Sequence, residues 1–122
     1  MRITRIGVTG DGGSHFDDLE IELADAGPIG WLSAAFPASS VAFRLTDPGY
    51  DYDWHRAPQR QLIVLLDGEI EVEVTSGEKR RFAGGDVVLV EDTTGTGHRT
   101  RTIGERSRHT LFIAVPESFG NG

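Results

Sequence analysis

Four histidines, His15, His55, His98 and His109, are the side chains of this chain suited to ligate a metal or move a proton near neutral pH. There is no cysteine, which excludes thiolate metal sites, disulfides and a cysteine nucleophile. Lys79, the one lysine, follows a Ser76-Gly77 turn among charged residues, a poor setting for a desolvated Schiff-base amine. Neither a Gly-x-Ser-x-Gly elbow nor a phosphate-binding P-loop occurs. Acid–base, ligand or hydrogen-bonding chemistry by imidazole is what remains. Just before His55 stand three acids, Asp47, Asp51 and Asp53, and three alternating aromatics, Tyr50, Tyr52 and Trp54. The acids read as a solvated loop, except that Asp53 lies two residues from His55 and shares its strand parity. The aromatics either stack on a ligand or simply pack. His109 has the parity of Leu111 and Ile113, which points it inward; His15 lies in a Gly-rich loop (GDGGSHF). Glu91–Gly95 is a polar loop, either a surface turn or the lining of a pocket.

The elements that must position these residues are strands. Gly accounts for 16 of 122 residues, against a usual share near ~7%, and 5 prolines add further breaks. Between the breaks lie short β-like segments. Val41–Leu45 alternates, with Val41, Phe43 and Leu45 on one face and Ala42 and Arg44 on the other. Gln61–Leu66 is apolar almost throughout, as suits a strand covered on both faces. Asp67-Gly68 turns the chain into Glu69–Thr75, whose strict period of two buries Ile70, Val72 and Val74 and exposes Glu69, Glu71 and Glu73. Asp17–Leu23, Arg80–Phe82, Val87–Val90 and Leu111–Val115 complete the set, and Gly27–Ser40 reads as an irregular cover for one end. No stretch of ten residues carries a helical period. Strands at this spacing predict an antiparallel sandwich or barrel.

The segment Gly49–Gly68 (GYDYDWHRAPQRQLIVLLDG) resembles the first motif of the cupins: a glycine, five residues, His-x-His, three or four residues, a glutamate, six residues and a closing glycine. Five residues separate Gly49 from His55, and Gln61 falls in the glutamate position, with six residues between it and Gly68. Gly85–Thr102 (GDVVLVEDTTGTGHRTRT) resembles the second motif, with Gly85-Asp86 at its start and Gly95-x-x-His98 at its turn. There are departures. Ala57 replaces the second histidine, Gln61 the carboxylate, Thr93 a proline and Thr102 an asparagine, and the turn is two residues longer than usual.

The resemblance implies an all-β, antiparallel, double-stranded jelly-roll barrel with an N-terminal extension. One domain over residues 1–122 is expected, with a barrel core of about 41–115, N-terminal strands and a covering segment in 1–40, and a frayed tail at 117–122. It also implies a divalent metal, Fe, Mn, Ni or Zn, on His55, Gln61 and His98. Without the carboxylate that ion would be weakly held, and would favour an anionic ligand such as an enolate. His55, His98 and Asp53 are the candidate catalytic groups, and Phe43, Tyr50, Trp54, Gln61 and Ile63 the candidate ligand contacts. The function expected is a metal-assisted lyase, isomerase or oxygenase acting on a small molecule. The alternatives are a metal-free barrel that binds or isomerises a polyketide-like or aromatic ligand, and a sensor or accessory domain. The formal charge of −7 argues against nucleic-acid binding. No apolar run nears the ~20 residues of a membrane span, and Met1–Gly10 lacks a signal peptide's apolar core. A soluble, cytoplasmic homodimer is the expectation.

Overall fold

The computed structural model describes residues 1–120. Twelve strands follow in order: β1 (Arg2–Val8), β2 (Ser14–Glu20), β3 (Ala24–Asp25), β4 (Trp31–Leu32), β5 (Ser40–Thr46), β6 (Asp51–His55), β7 (Gln61–Leu65), β8 (Glu69–Glu73), β9 (Lys79–Ala83), β10 (Val87–Val90), β11 (His98–Thr102) and β12 (Arg108–Ala114). Among the described residues the one helical piece is a 3₁₀ turn at Gly27–Ile29, and no helix is long and apolar enough to cross a membrane.

Two sheets face each other. A six-stranded sheet runs β2-β1-β10-β7-β12-β5 and a four-stranded sheet runs β6-β11-β8-β9; β3 and β4 form a small separate ladder. Every pairing is antiparallel but one, because β1 joins β10 in parallel register, Thr4 beside Val88 and Ile6 beside Val90. No hairpin fixes the direction of β1 against β10, since the two are separated by most of the chain.

The pattern of Glu69–Glu73 shows why the strands form as they do. Its apolar residues Ile70 and Val72 enter the space between the sheets, and its glutamates face out. That inner core also takes Ile6, Phe16, Leu65, Val74, Phe82, Val88 and Val90. A second cluster, with Ile3, Leu89, Val115 and Phe119 buried and Leu62 and Ile113 against them, covers the outer face of the six-stranded sheet. Apolar side chains on both faces of β7 and β10 follow directly.

The tail departs from the frayed end expected for 117–122. Phe119 is only 5% exposed, its carbonyl accepts a 2.6 Å hydrogen bond from Arg60 Nη2, and its ring meets Phe36 edge-on at 4.8 Å. Phe36 thus reaches the second cluster through Phe119, so the irregular segment 27–40 lies in part against the outer face of the six-stranded sheet. The last two residues of the expected tail lie outside the described ones.

Candidate functional site

Between the sheets lies a cavity of about 480 Å³. Its walls are the inward residues of β5, β7, β10 and β12 on one side and of β6, β8 and β11 on the other. Ser40, Ala42 and Arg44 line it and are nonetheless exposed, so the cavity opens beside the edge strand β5.

His55 and His98 sit opposite each other in the β6–β11 pair, their ring centroids 4.6 Å apart. Gly97 makes that approach possible. It has φ +82°, and a Cβ there would lie 1.9 Å from the His55 carbonyl oxygen, so any side chain would force β6 and β11 apart. Each imidazole is anchored through the same nitrogen. His55 Nδ1 lies 2.8 Å from the Asp53 carbonyl oxygen, which can only accept, so the proton is on Nδ1. His98 Nδ1 is hydrogen-bonded to the Asp92 carboxylate, a side chain with 0% exposure. Both anchors leave Nε2 as the nitrogen available for chemistry. Burial, the largest influence, holds the His55 pKa below its ordinary 6.5; the Asp53 hydrogen bond opposes this and the His98 and Arg44 charges assist it. His55 is therefore neutral at pH 7, with its Nε2 lone pair free. Tyr52 meets the His55 ring edge-on at 4.2 Å.

Of the residues singled out in the sequence, His55, His98, Gln61, Ile63 and Tyr50 line this cavity. Gln61 is buried, and among the described residues no protein group hydrogen-bonds its amide. Asp53 is not among the lining residues, because the shared parity with His55 does not hold. The register between β6 and β11 shifts, His98 pairing with His55 and Thr100 with Tyr52, so Tyr52 and His55 face inward three residues apart. Asp53 turns outward and accepts from its neighbour's backbone N–H, Trp54 N to Asp53 Oδ1, at 2.9 Å. Trp54 lies outside the cavity, beside a shallow groove with Thr93 and Thr96. Phe43 is 82% exposed on the outer face of β5, whose inward residues are Ala42, Arg44 and Thr46. His109 is exposed too, paired with Asp67 at 2.8 Å, because Thr110 and Phe112 take the inward places on β12. His15 is exposed, on β2 rather than in a loop.

Asp92 escaped the sequence reading because it sits in a polar run. The usable signal was parity: Asp92 continues the inward series of Val88 and Val90 past the end of β10. Arg44 and Arg108, which line the far end of the cavity, were equally hidden.

The donors present fit a divalent ion poorly. Position 57, where the resemblance calls for a second histidine, is an alanine with 4% exposure inside the inner apolar core. The three possible ligands, two imidazoles and the Gln61 amide, are all neutral, and Asp92 is already engaged by His98. Among the described residues no three His, Cys, Asp or Glu side chains converge as a metal cluster would. An ion here would keep about two unbalanced positive charges in a half-dry barrel.

Comparison with known proteins agrees with the architecture. No family model matches the chain. It is 41% identical over 69 residues to "Oryzines biosynthesis cluster protein J" of Aspergillus oryzae, a stretch that is 56% of this chain and 37% of that protein. The chain thus spans little more than a third of that relative. Among solved structures, the cupin domain of Cnp3 from Schizosaccharomyces pombe superposes with TM-score 0.54 at 14% identity, over 98% of this chain and 90% of that one. A predicted oxalate decarboxylase from Thermotoga maritima gives 0.50 at 16% identity, over 93% of each chain. The chain has the cupin fold, and its two facing, mainly antiparallel sheets are the two halves of a jelly roll.

Proposed function

We propose that the chain is a small-molecule enzyme of isomerase or lyase type, moving a proton on a carbonyl-bearing substrate inside the barrel without a bound metal. The observation that carries this reading is the paired anchoring of His55 and His98, which holds two imidazoles 4.6 Å apart, their planes tilted by 57°, with both Nδ1 atoms occupied. His55 is neutral at neutral pH, so its Nε2 removes a proton from the carbon beside the carbonyl. That proton passes from His55 to the neighbouring His98, whose positive charge Asp92 stabilises, and His98 returns it to a second atom of the substrate, so both imidazoles end as they began. The Gln61 amide N–H, unclaimed by the protein, donates to the oxygen where negative charge develops. The apolar walls, Ile63, Leu65, Ile70 and Val72 among them, suit a ligand that is mostly hydrocarbon or aromatic. The relative's name places it in a biosynthesis cluster, which is compatible with action on a small molecule.

Incubation in D2O with a panel of enolisable carbonyl compounds, followed by proton NMR, tests the reading. Expected is deuterium uptake above background, abolished in His98→Ala and unaffected by EDTA. Uptake that EDTA removes and Mn or Fe restores would return the metal reading. No uptake on any member by folded protein would end the enzyme reading.

A homodimer is part of the same proposal. β5 is a free sheet edge and exposes Val41, Phe43 and Leu45 on its outer face, a surface that pairing of two copies would cover.

A further inference from the structure

The end of the cavity away from the histidines is built differently. Arg108 is only 6% exposed, and no ion pair with a carboxylate engages it or Arg44 among the described residues. The contacts of Arg108 are a 2.6 Å hydrogen bond from Nη1 to Thr102 Oγ1 and the face of Tyr50, whose ring centroid lies 4.9 Å from its guanidinium carbon. Arg44 lies over the same ring at 5.1 Å. Burial and the neighbouring Arg44 charge both work against the cationic form of Arg108. Thr46, paired with Arg108 across β5 and β12, buries a hydroxyl oxygen that has no hydrogen-bond partner. Arg108, Arg44, Thr46 and Tyr50 all line the cavity. Two guanidiniums gathered at one ring, one of them desolvated, with an unsatisfied hydroxyl beside them, cost stability unless an anion completes the set. Most guanidinium donors of Arg108 are unspent, and their planar fork matches a carboxylate.

We propose that Arg108, Arg44, Thr46 and Tyr50 form a carboxylate-binding subsite, so that the ligand is an organic acid whose carboxylate is held here while its reactive part lies at His55 and His98. Arg108 supplies the paired N–H donors, Thr46 one hydroxyl donor, and Arg44 at the open side a second charge. On β11, Thr102 marks the arginine end and His98 the histidine end, four residues apart, which is about 13 Å of strand. The ligand is therefore elongated, with an apolar middle against Ile63 and Leu65. The subsite rests on its own residues; only the placement of the reactive part depends on the proton-transfer reading.

Calorimetric titration with hexanoate, and with hexanamide as its uncharged counterpart, tests it on the intact chain. Wild type should bind hexanoate and prefer it to hexanamide by about tenfold or more, as a charge-assisted pair requires. Arg108→Met should remove that preference, Arg108→Lys should keep part of it, and Arg44→Gln should weaken hexanoate several-fold. Hexanoate binding and its preference over hexanamide should hold whether or not the protein catalyses any proton transfer. If Arg108→Met does not fold, the acid–amide preference of wild type and the Arg44→Gln loss still decide the matter. Equal affinity for acid and amide, or unchanged binding in the arginine variants, would each overturn the proposal.

Discussion

Replacing Asp92 separates the anchoring of His98 from ordinary core packing. Asp92 is fully buried, its Oδ2 receives the His98 Nδ1–H, and its Oδ1 has no partner. Asp92→Ala removes the acceptor and leaves a buried imidazole N–H unsatisfied. A hydrogen bond to a charged group contributes about 1.5–3 kcal/mol, and the orphaned donor adds to the loss. For a domain of this size each kcal/mol moves the melting temperature by about 3–5 °C, so the alanine variant should melt about 5–15 °C lower. Asp92→Asn behaves differently. Its amide oxygen can keep the place of Oδ2 and accept the same proton, while its NH2 falls where Oδ1 already lacks a partner. The loss should then be about half as large, arising from the missing charge alone. Nitrogen-detected NMR of the His98 ring gives the second measurement: Nδ1 stays protonated in wild type and Asp92→Asn and becomes a mixture of tautomers in Asp92→Ala. An alanine variant that melts within about 2 °C of wild type, or keeps the Nδ1–H form, would show that Asp92 does not hold His98. The assignment of His98 as the proton-returning group would fall with it.

Three further outcomes follow from the site and the sheet edge. Titration of wild type with Mn, Ni or Zn salts at millimolar concentration should give no saturable heat; saturable binding that tightens in Gln61→Glu would refute the argument from neutral donors. The folded His55 resists protonation while the unfolded imidazole takes its proton near 6.5, so the stability this contributes is complete above that pH and is lost as pH falls below it. Melting curves from pH 7.5 to 5.5 should show wild type losing ground to His55→Gln only at the acidic end, and parallel curves would contradict the burial effect. Light scattering at tens of micromolar should return a dimer for wild type and a monomer for Phe43→Lys, whereas a monomeric wild type would remove the dimer.

Legibility in the sequence depended on how each strand meets solvent. Glu69–Glu73 has one wet face, so its alternation could be read directly. β1 could not, because Ile3 enters the outer cluster and Ile6 the inner core, three residues apart, and no single period links them. β5 misled for the opposite reason: its apolar residues face out and its cavity residues are Ala42, Arg44 and Thr46. The histidine pair was legible because two motifs carried it on separate strands. The bulge that turns Asp53 outward is a register shift between β6 and β11, invisible in either strand alone. Arg108 and Thr46 lie on strands far apart in the chain and meet only through the β5–β12 ladder.

The distribution of charge has a kinetic consequence. The molecule carries a formal −7 overall, yet the arginine end of its cavity is cationic and holds no paired carboxylate. An anion drifting in from bulk solvent is first repelled by the whole surface and then attracted within the opening beside β5. Screening acts on the two fields unequally: beyond about 8 Å at physiological ionic strength the surface repulsion is largely gone, while the desolvated pair inside is screened much less. Added salt should therefore speed entry of the anion even as it modestly shortens its stay. Moderate ionic strength becomes the condition at which the barrel fills fastest, the reverse of the steering seen when a protein and its ligand carry opposite net charge.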